Sequence, residues 1–86
     1  MVAGSGMSMY RNALQAKASV FVTADAKYHD FHAATGVIGL VDPGHYEMEQ
    51  FVPQGIINSL ARTDDQITYI ASVVHTSPVR YHVQTI

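Results

Sequence analysis

The 86-residue sequence has no cysteine, so it forms no disulfide and offers no thiolate to a metal. That suits an expected cytoplasmic setting. Lysine and arginine together number five against seven acidic residues, for a formal net charge of −2. The five bases form no cluster, and a phosphate-gripping surface needs one, so nucleic-acid binding is not expected. No stretch approaches the ~18 apolar residues of a membrane span, and no membrane partner is expected. The opening Met1-Val2-Ala3-Gly4-Ser5-Gly6 lacks a basic region followed by an apolar run and does not read as a secretory signal. Charge is sparse altogether, at 14 % of residues against 48 % hydrophobic. On so small a body that balance predicts apolar surface meant for another subunit or a further domain. A chain of this length buries only roughly 60–65 % of its unfolded surface, so marginal stability is expected.

What the sequence does contain is a recurring order of short apolar runs, each followed by polar, ionisable residues. Val2-Ala3 leads into Gly4-Ser5-Gly6, the tail of a strand entering a glycine turn, with a helix expected over 8–17. Such a turn could cradle an anion on free N–H groups, but there is no full GxGxxG and no Walker lysine. A tight turn that lets the backbone pass close to its neighbours is the simpler reading. Ser19-Val20-Phe21-Val22-Thr23 reads as a strand covered on both faces. Past its end come Asp25, His29, Asp30 and His32, with a short helix expected over 27–34 and stopped at Thr35-Gly36. Asp25 and His29 stand four apart, one possible pairing of acid and imidazole.

The run 36–41 is the next strand. Pro43-Gly44 turns the chain, and His45 and Glu49 fall at the start of a helix, on one face at i, i+4. An imidazole and a carboxylate so placed make a pair of candidate metal ligands. The plainer alternative is that Glu49 complements the helix dipole and His45 caps the turn. Two successive strands nevertheless deliver Asp and His to the same sheet edge, where open α/β sheets bind ligands. Phe51, Val52, Ile56, Ile57 and Leu60 continue as an apolar helical stripe, most simply core, which Pro53 should kink or split. The β-branched run 67–74 reads as a fourth strand, and 79–83 as a short edge segment, with His75 and His82 at the surface or an interface. The β-α-β-α-β-α-β order predicts an α/β fold, a mostly parallel sheet of about four strands with flanking helices, in a single domain over 1–86.

Ala3-Gly4-Ser5-Gly6, then Val20-Phe21-Val22-Thr23-Ala24-Asp25-Ala26-Lys27-Tyr28-His29, then Asp42-Pro43-Gly44-His45-Tyr46-Glu47-Met48-Glu49 stand in an order and spacing found in one family. The chain resembles the C-terminal part of the Nif-three-like dinuclear-metal-centre proteins, often labelled GTP cyclohydrolase 1 type 2 homologues. Ser77-Pro78-Val79-Arg80-Tyr81 is similar to the ending of members with an Asn-Pro-Val motif. The resemblance implies half of a larger two-lobed fold, with two divalent metal ions (zinc, manganese or iron) per full-length chain held between the lobes. It implies His45 and Glu49 as metal ligands. Thr23, Asp25 and His29 would line the cleft, with Asp25 and His29 serving catalysis by orienting ligands or moving protons. Ala24 replaces the usual glycine and Pro43 a small or aliphatic residue. Family members are about three times longer or more, and the remaining ligands belong to an N-terminal lobe that this chain lacks.

These features predict a metal-binding module of a metal-dependent hydrolase, with a nucleotide or phosphate-type substrate, incomplete and inactive alone. The alternative from another class is a non-catalytic metal-binding scaffold that assembles as a homo-oligomer. An anion-binding role for Gly4-Ser5-Gly6 is the third.

Overall fold

The computed structural model describes residues 1–84. A single 3-10 turn, Met7–Met9, leads into helix α1, Tyr10–Gln15. There follow strand β1 (Val20–Val22), helix α2 (Tyr28–Ala34), strand β2 (Gly39–Val41), helix α3 (His45–Glu49) and helix α4 (Val52–Thr63). β1 and β2 are parallel, with Val20 opposite Gly39, Phe21 opposite Leu40 and Val22 opposite Val41. Residues 2–5 run along the other edge of β1. Val2 N–H donates to the Val22 carbonyl at 3.0 Å, and Ser5 forms a parallel bridge with Ala24. The N-terminal segment is therefore a ladder partner without being a full strand.

Helix ends follow local chemistry. α1 closes in a Schellman arrangement: Lys17 N–H reaches the Leu14 carbonyl at 3.0 Å and Ala18 N–H the Ala13 carbonyl at 3.1 Å. This requires Lys17 at φ +56°. α2 starts where the Asp30 carboxylate accepts the Lys27 N–H at 2.7 Å, and ends at Thr35-Gly36 as the sequence predicts. Pro53 does split the third helical stretch. α3 stops at Glu49 and α4 restarts at Val52, with the proline in the first turn, where a missing N–H costs nothing.

The core is small. Phe21, Ala34 and Ile38 are buried, and Val2, Met7, Tyr10, Ala13 and Leu40 pack around them. Tyr10 meets Phe21 at a ring-centroid distance of 6.4 Å. Only one face of the sheet is covered: Phe21 is 3 % exposed while its neighbour Val20 is 51 % exposed, so the two-sided burial expected for β1 is not found.

Three further expectations are corrected. The described residues contain two strands, not about four. Residues 66–84 carry no regular structure, so neither 67–74 nor 79–83 is a strand. β-branched residues fit a pleated, half-buried surface but cannot supply the ladder partner that makes one. The α4 stripe is not core either: Phe51 is 70 % exposed and Ile56 54 %. Val52 and Leu60, at 44 % and 46 %, are about half exposed, so the described residues leave the stripe partly open. The radius of gyration of 16.9 Å, against about 12 Å for a closed body of this length, reflects the same open C-terminal half.

Candidate metal centre

The polar cluster lies just past the carboxyl ends of β1 and β2. After β1 the chain passes through Thr23, which is fully buried and donates its hydroxyl to the Gly4 carbonyl at 3.0 Å. The same carbonyl accepts the Ala24 N–H at 2.9 Å. Asp25 then adopts φ +58°, a left-handed conformation that aspartate tolerates better than most residues. After β2, Asp42 ties the two strand-end loops together. Its Oδ1 accepts the Gly44 N–H at 2.9 Å and its Oδ2 the Ala26 N–H at 3.1 Å. Gly44, at φ +105°, turns the chain into α3, and a Cβ there would strike the Glu47 carboxylate. His45 and Glu49 therefore project from α3 toward Asp25.

The imidazole of His45 is held on both sides. Nδ1 lies 2.6 Å from Asp25 Oδ2 and Nε2 lies 2.9 Å from Glu49 Oε2. Ser5 Oγ donates to the same Asp25 Oδ2. These side chains are about half exposed, at 46 % for His45, 51 % for Asp25 and 46 % for Glu49. The Ser5 hydroxyl, followed by the His45 ring, holds the Asp25 carboxyl below its ordinary range. The Asp25 hydrogen bond, with the Glu49 charge assisting, raises the His45 imidazole above its own. Gly4 passes close above the pair at φ +72°, where an added Cβ would strike Glu49 Oε1 and sit 3.3 Å from His45 Nε2. The close-passing turn is the reading of Gly4-Ser5-Gly6 that the geometry fits.

Of the residues singled out from sequence, Asp25, His45 and Glu49 come together. His29 does not join them: it is exposed on α2, with its ring edge-on to Tyr28 at 5.9 Å. The i, i+4 pairing of Asp25 and His29 needs both on one helix, but α2 begins at Tyr28 and Asp25 stands before it in a left-handed turn. Sequence reasoning missed the part played by Ser5, whose only local signal is a hydroxyl between two glycines. It also missed two contacts from the tail: Tyr81 donates to Glu47 Oε1, and Tyr46 Oη meets His75 Nδ1 at 3.2 Å. Pairings across 29 or more residues leave no spacing signal. An open cleft of about 1170 Å³ is bounded by Asp25, His45, Glu49 and the tail around His75 and Tyr81.

Donor types and spacing fit a divalent ion at one nitrogen. Two ligands each ~2.1 Å from a metal lie about 3 Å apart at right angles and about 3.4 Å apart at the tetrahedral angle, and Nε2 and Oε2, hydrogen-bonded at 2.9 Å, are close to the shorter of these. Asp25 sits on the opposite side of the ring and does not converge on that point. Accordingly, no group of three or more His, Asp or Glu side chains that could hold a metal occurs among the described residues.

The molecule is thus an α/β module that carries an acid–imidazole–acid row at the carboxyl edge of a parallel sheet. The sequence model of Duf34/NIF3 (NGG1p interacting factor 3) matches residues 1–78, and the chain belongs to that family. It is 32 % identical over 85 residues to a GTP cyclohydrolase 1 type 2 homolog of Staphylococcus epidermidis, covering 94 % of this chain and 23 % of that protein. A homolog of the same name from Halalkalibacterium halodurans is 34 % identical over 86 residues, with the same coverage. The crystal structure of Staphylococcus aureus protein SA1388 superposes with a TM-score of 0.79 at 32 % identity, covering 94 % of this chain and 24 % of that one. The chain spans about a quarter of the length of these relatives. No helix among the described residues is long and apolar enough to cross a membrane.

Proposed function

We propose that this chain is a metal-binding module of a dinuclear metal-dependent hydrolase, acting on a nucleotide or phosphate-type substrate only together with ligands from elsewhere. His45 Nε2 and the Glu49 carboxylate hold the ion, and Asp25 orients His45 through Nδ1. His29 has no role in this reading. The observation that carries it is the placement of one imidazole between two carboxylates at a strand end, half open to a cleft. Exposed ion pairs of this kind contribute only about 0–1 kcal/mol to stability, so fold maintenance is a weak reason for the row to exist. A bound divalent ion, zinc, manganese or iron, supplies Lewis acidity toward a substrate oxygen and acidifies water. The chain's own part is to hold the ion at His45 and Glu49 and to keep His45 oriented.

Zinc titration of the chain beside its His45→Ala/Glu49→Ala double variant tests this. Binding by the wild type and its loss in the double variant, at unchanged circular dichroism, is the expected result. Equal binding by both would remove the metal reading. No nucleotide or phosphoester turnover is expected from the chain alone, since two ligands do not complete a two-metal site. A second reading, a non-catalytic scaffold that assembles as a homo-oligomer, draws on the partly open α4 face of Val52, Ile56 and Leu60. It predicts assembly that is unchanged by the same double variant.

A further inference from the structure

His45 has a carboxylate at each ring nitrogen, yet only one nitrogen can give up its proton to a cation and still leave the ring anchored. A carboxylate only accepts, so a nitrogen that stays bonded to one must be N–H, and the carboxylate fixed by a further donor is the better placed to keep it. The two sides are unequal. On the Nδ1 side, Asp25 Oδ2 takes a second donor from Ser5 Oγ. On the Nε2 side, the described residues give Glu49 one partner, His45 itself.

The backbone explains why Ser5 can do this. Its bridge with Ala24 sets it beside Asp25. The Gly4 carbonyl, bonded by the Ala24 N–H at 2.9 Å and by the buried Thr23 hydroxyl at 3.0 Å, fixes the preceding residue. On the far side of Asp25, the Ala26 N–H is held by Asp42 at 3.1 Å. Asp25 is thus clamped through both sequence neighbours, and Ser5 fixes the carboxylate that remains. Gly4 completes the arrangement by leaving room above Glu49 that any side chain would fill.

We infer that Ser5 is a positioning residue: through Asp25 it keeps His45 protonated on Nδ1 and presents Nε2 to the cleft as the metal-accepting nitrogen. This rests on the metal reading of His45 and Glu49 and adds to it a tautomer, a ligating atom and a third residue. A free neutral imidazole favours the opposite tautomer, with the proton on Nε2, so the effect has a spectroscopic signature that a merely structural serine would not produce.

The test uses the full chain with 15N-labelled histidine, at alkaline pH where the ring is neutral, and reads the two ring-nitrogen shifts of His45. In the wild type, Nδ1 should carry the proton. Ser5→Ala should shift the population toward Nε2–H, Asp25→Asn should do so further, and Ser5→Thr, which keeps the hydroxyl, should restore the wild-type pattern. Zinc affinity should fall about 10-fold in Ser5→Ala and up to about 100-fold in Asp25→Asn, the usual range for groups that orient a ligand. A wild-type His45 with the free-imidazole pattern, or a Ser5→Ala chain with unchanged nitrogen shifts, would overturn the inference. The shifts are read without metal, so they decide the matter separately from the metal reading, which fails if His45→Ala binds zinc as well as wild type does.

Discussion

At the scale of residues, Asp25 and His45 make stability depend on pH in opposite senses. Asp25 titrates below its ordinary 3.8 when folded, held first by Ser5 and then by His45, so its contribution is present above that value and fades as pH falls through the folded one. His45 titrates above 6.5 when folded, held first by Asp25, so its contribution is complete below 6.5 and is lost as pH rises through the folded value. The interaction is therefore strongest between about pH 4 and 6.5. Thermal melts of wild type and His45→Gln should differ most in that window and converge on the alkaline side, with added salt shrinking the difference. A constant offset at every pH would show that the pair does not contribute as argued. Gly4→Ala tests the close approach over Glu49. The left-handed φ costs roughly 1 kcal/mol for alanine, while the Cβ displaces a carboxylate that can swing away. A modest drop in melting temperature with a larger loss of zinc affinity is expected, and no further loss on adding Glu49→Ala.

At the scale of elements, the clearest local compromise is the end of α1. The Schellman bonds of Lys17 and Ala18 need a left-handed residue where the sequence has lysine. Lys17→Gly should stabilise the chain by about 0.5–1 kcal/mol, roughly 2–8 °C for a domain of this size. A lower melting temperature would mean that the lysine side chain contributes more than the backbone conformation costs. Sequence patterns located these elements well where the signal was local: the helix over 27–34, its stop at Thr35-Gly36, and the split that Pro53 makes at the start of α4. They failed where a strand needed a partner. Residues 67–74 have the β-branched composition of a strand but no neighbour with which to form a ladder. Composition reports fitness for a sheet, not the presence of its edge.

For the whole molecule, the contrast between the two halves dominates. The N-terminal half closes around Phe21, Ala34 and Ile38, and the C-terminal half leaves Ile56 and Leu60 about half exposed and Ile70 and Val73 largely exposed. Val52, Ile56 and Leu60 recur at four-residue spacing and form one partly open stripe on α4. The isolated chain should self-associate through it. Sedimentation velocity is expected to show species heavier than 9.4 kDa, and Ile56→Glu/Leu60→Glu should yield monomer with helix content retained. A wild-type chain that is monomeric at the same concentration would sink this expectation.

The sequence by itself determined the mixed α/β character, the stops at Thr35-Gly36 and before Pro53, and the family, and it singled out Asp25, His45 and Glu49, which the structure brings together. Each depends on periodicity, turn chemistry or motif spacing within a few residues. Only the tertiary structure decided that Asp25 pairs with His45 rather than His29, that Ser5 stands behind Asp25, and that the α4 stripe is open. Those outcomes depend on how residues 2–5, β1 and β2 lie side by side, and on what is absent from the neighbourhood of α4 among the described residues. Hydrogen bonds across 20 residues, such as Ser5 to Asp25 and Asp25 to His45, are set by the register of the ladder, which no local pattern encodes.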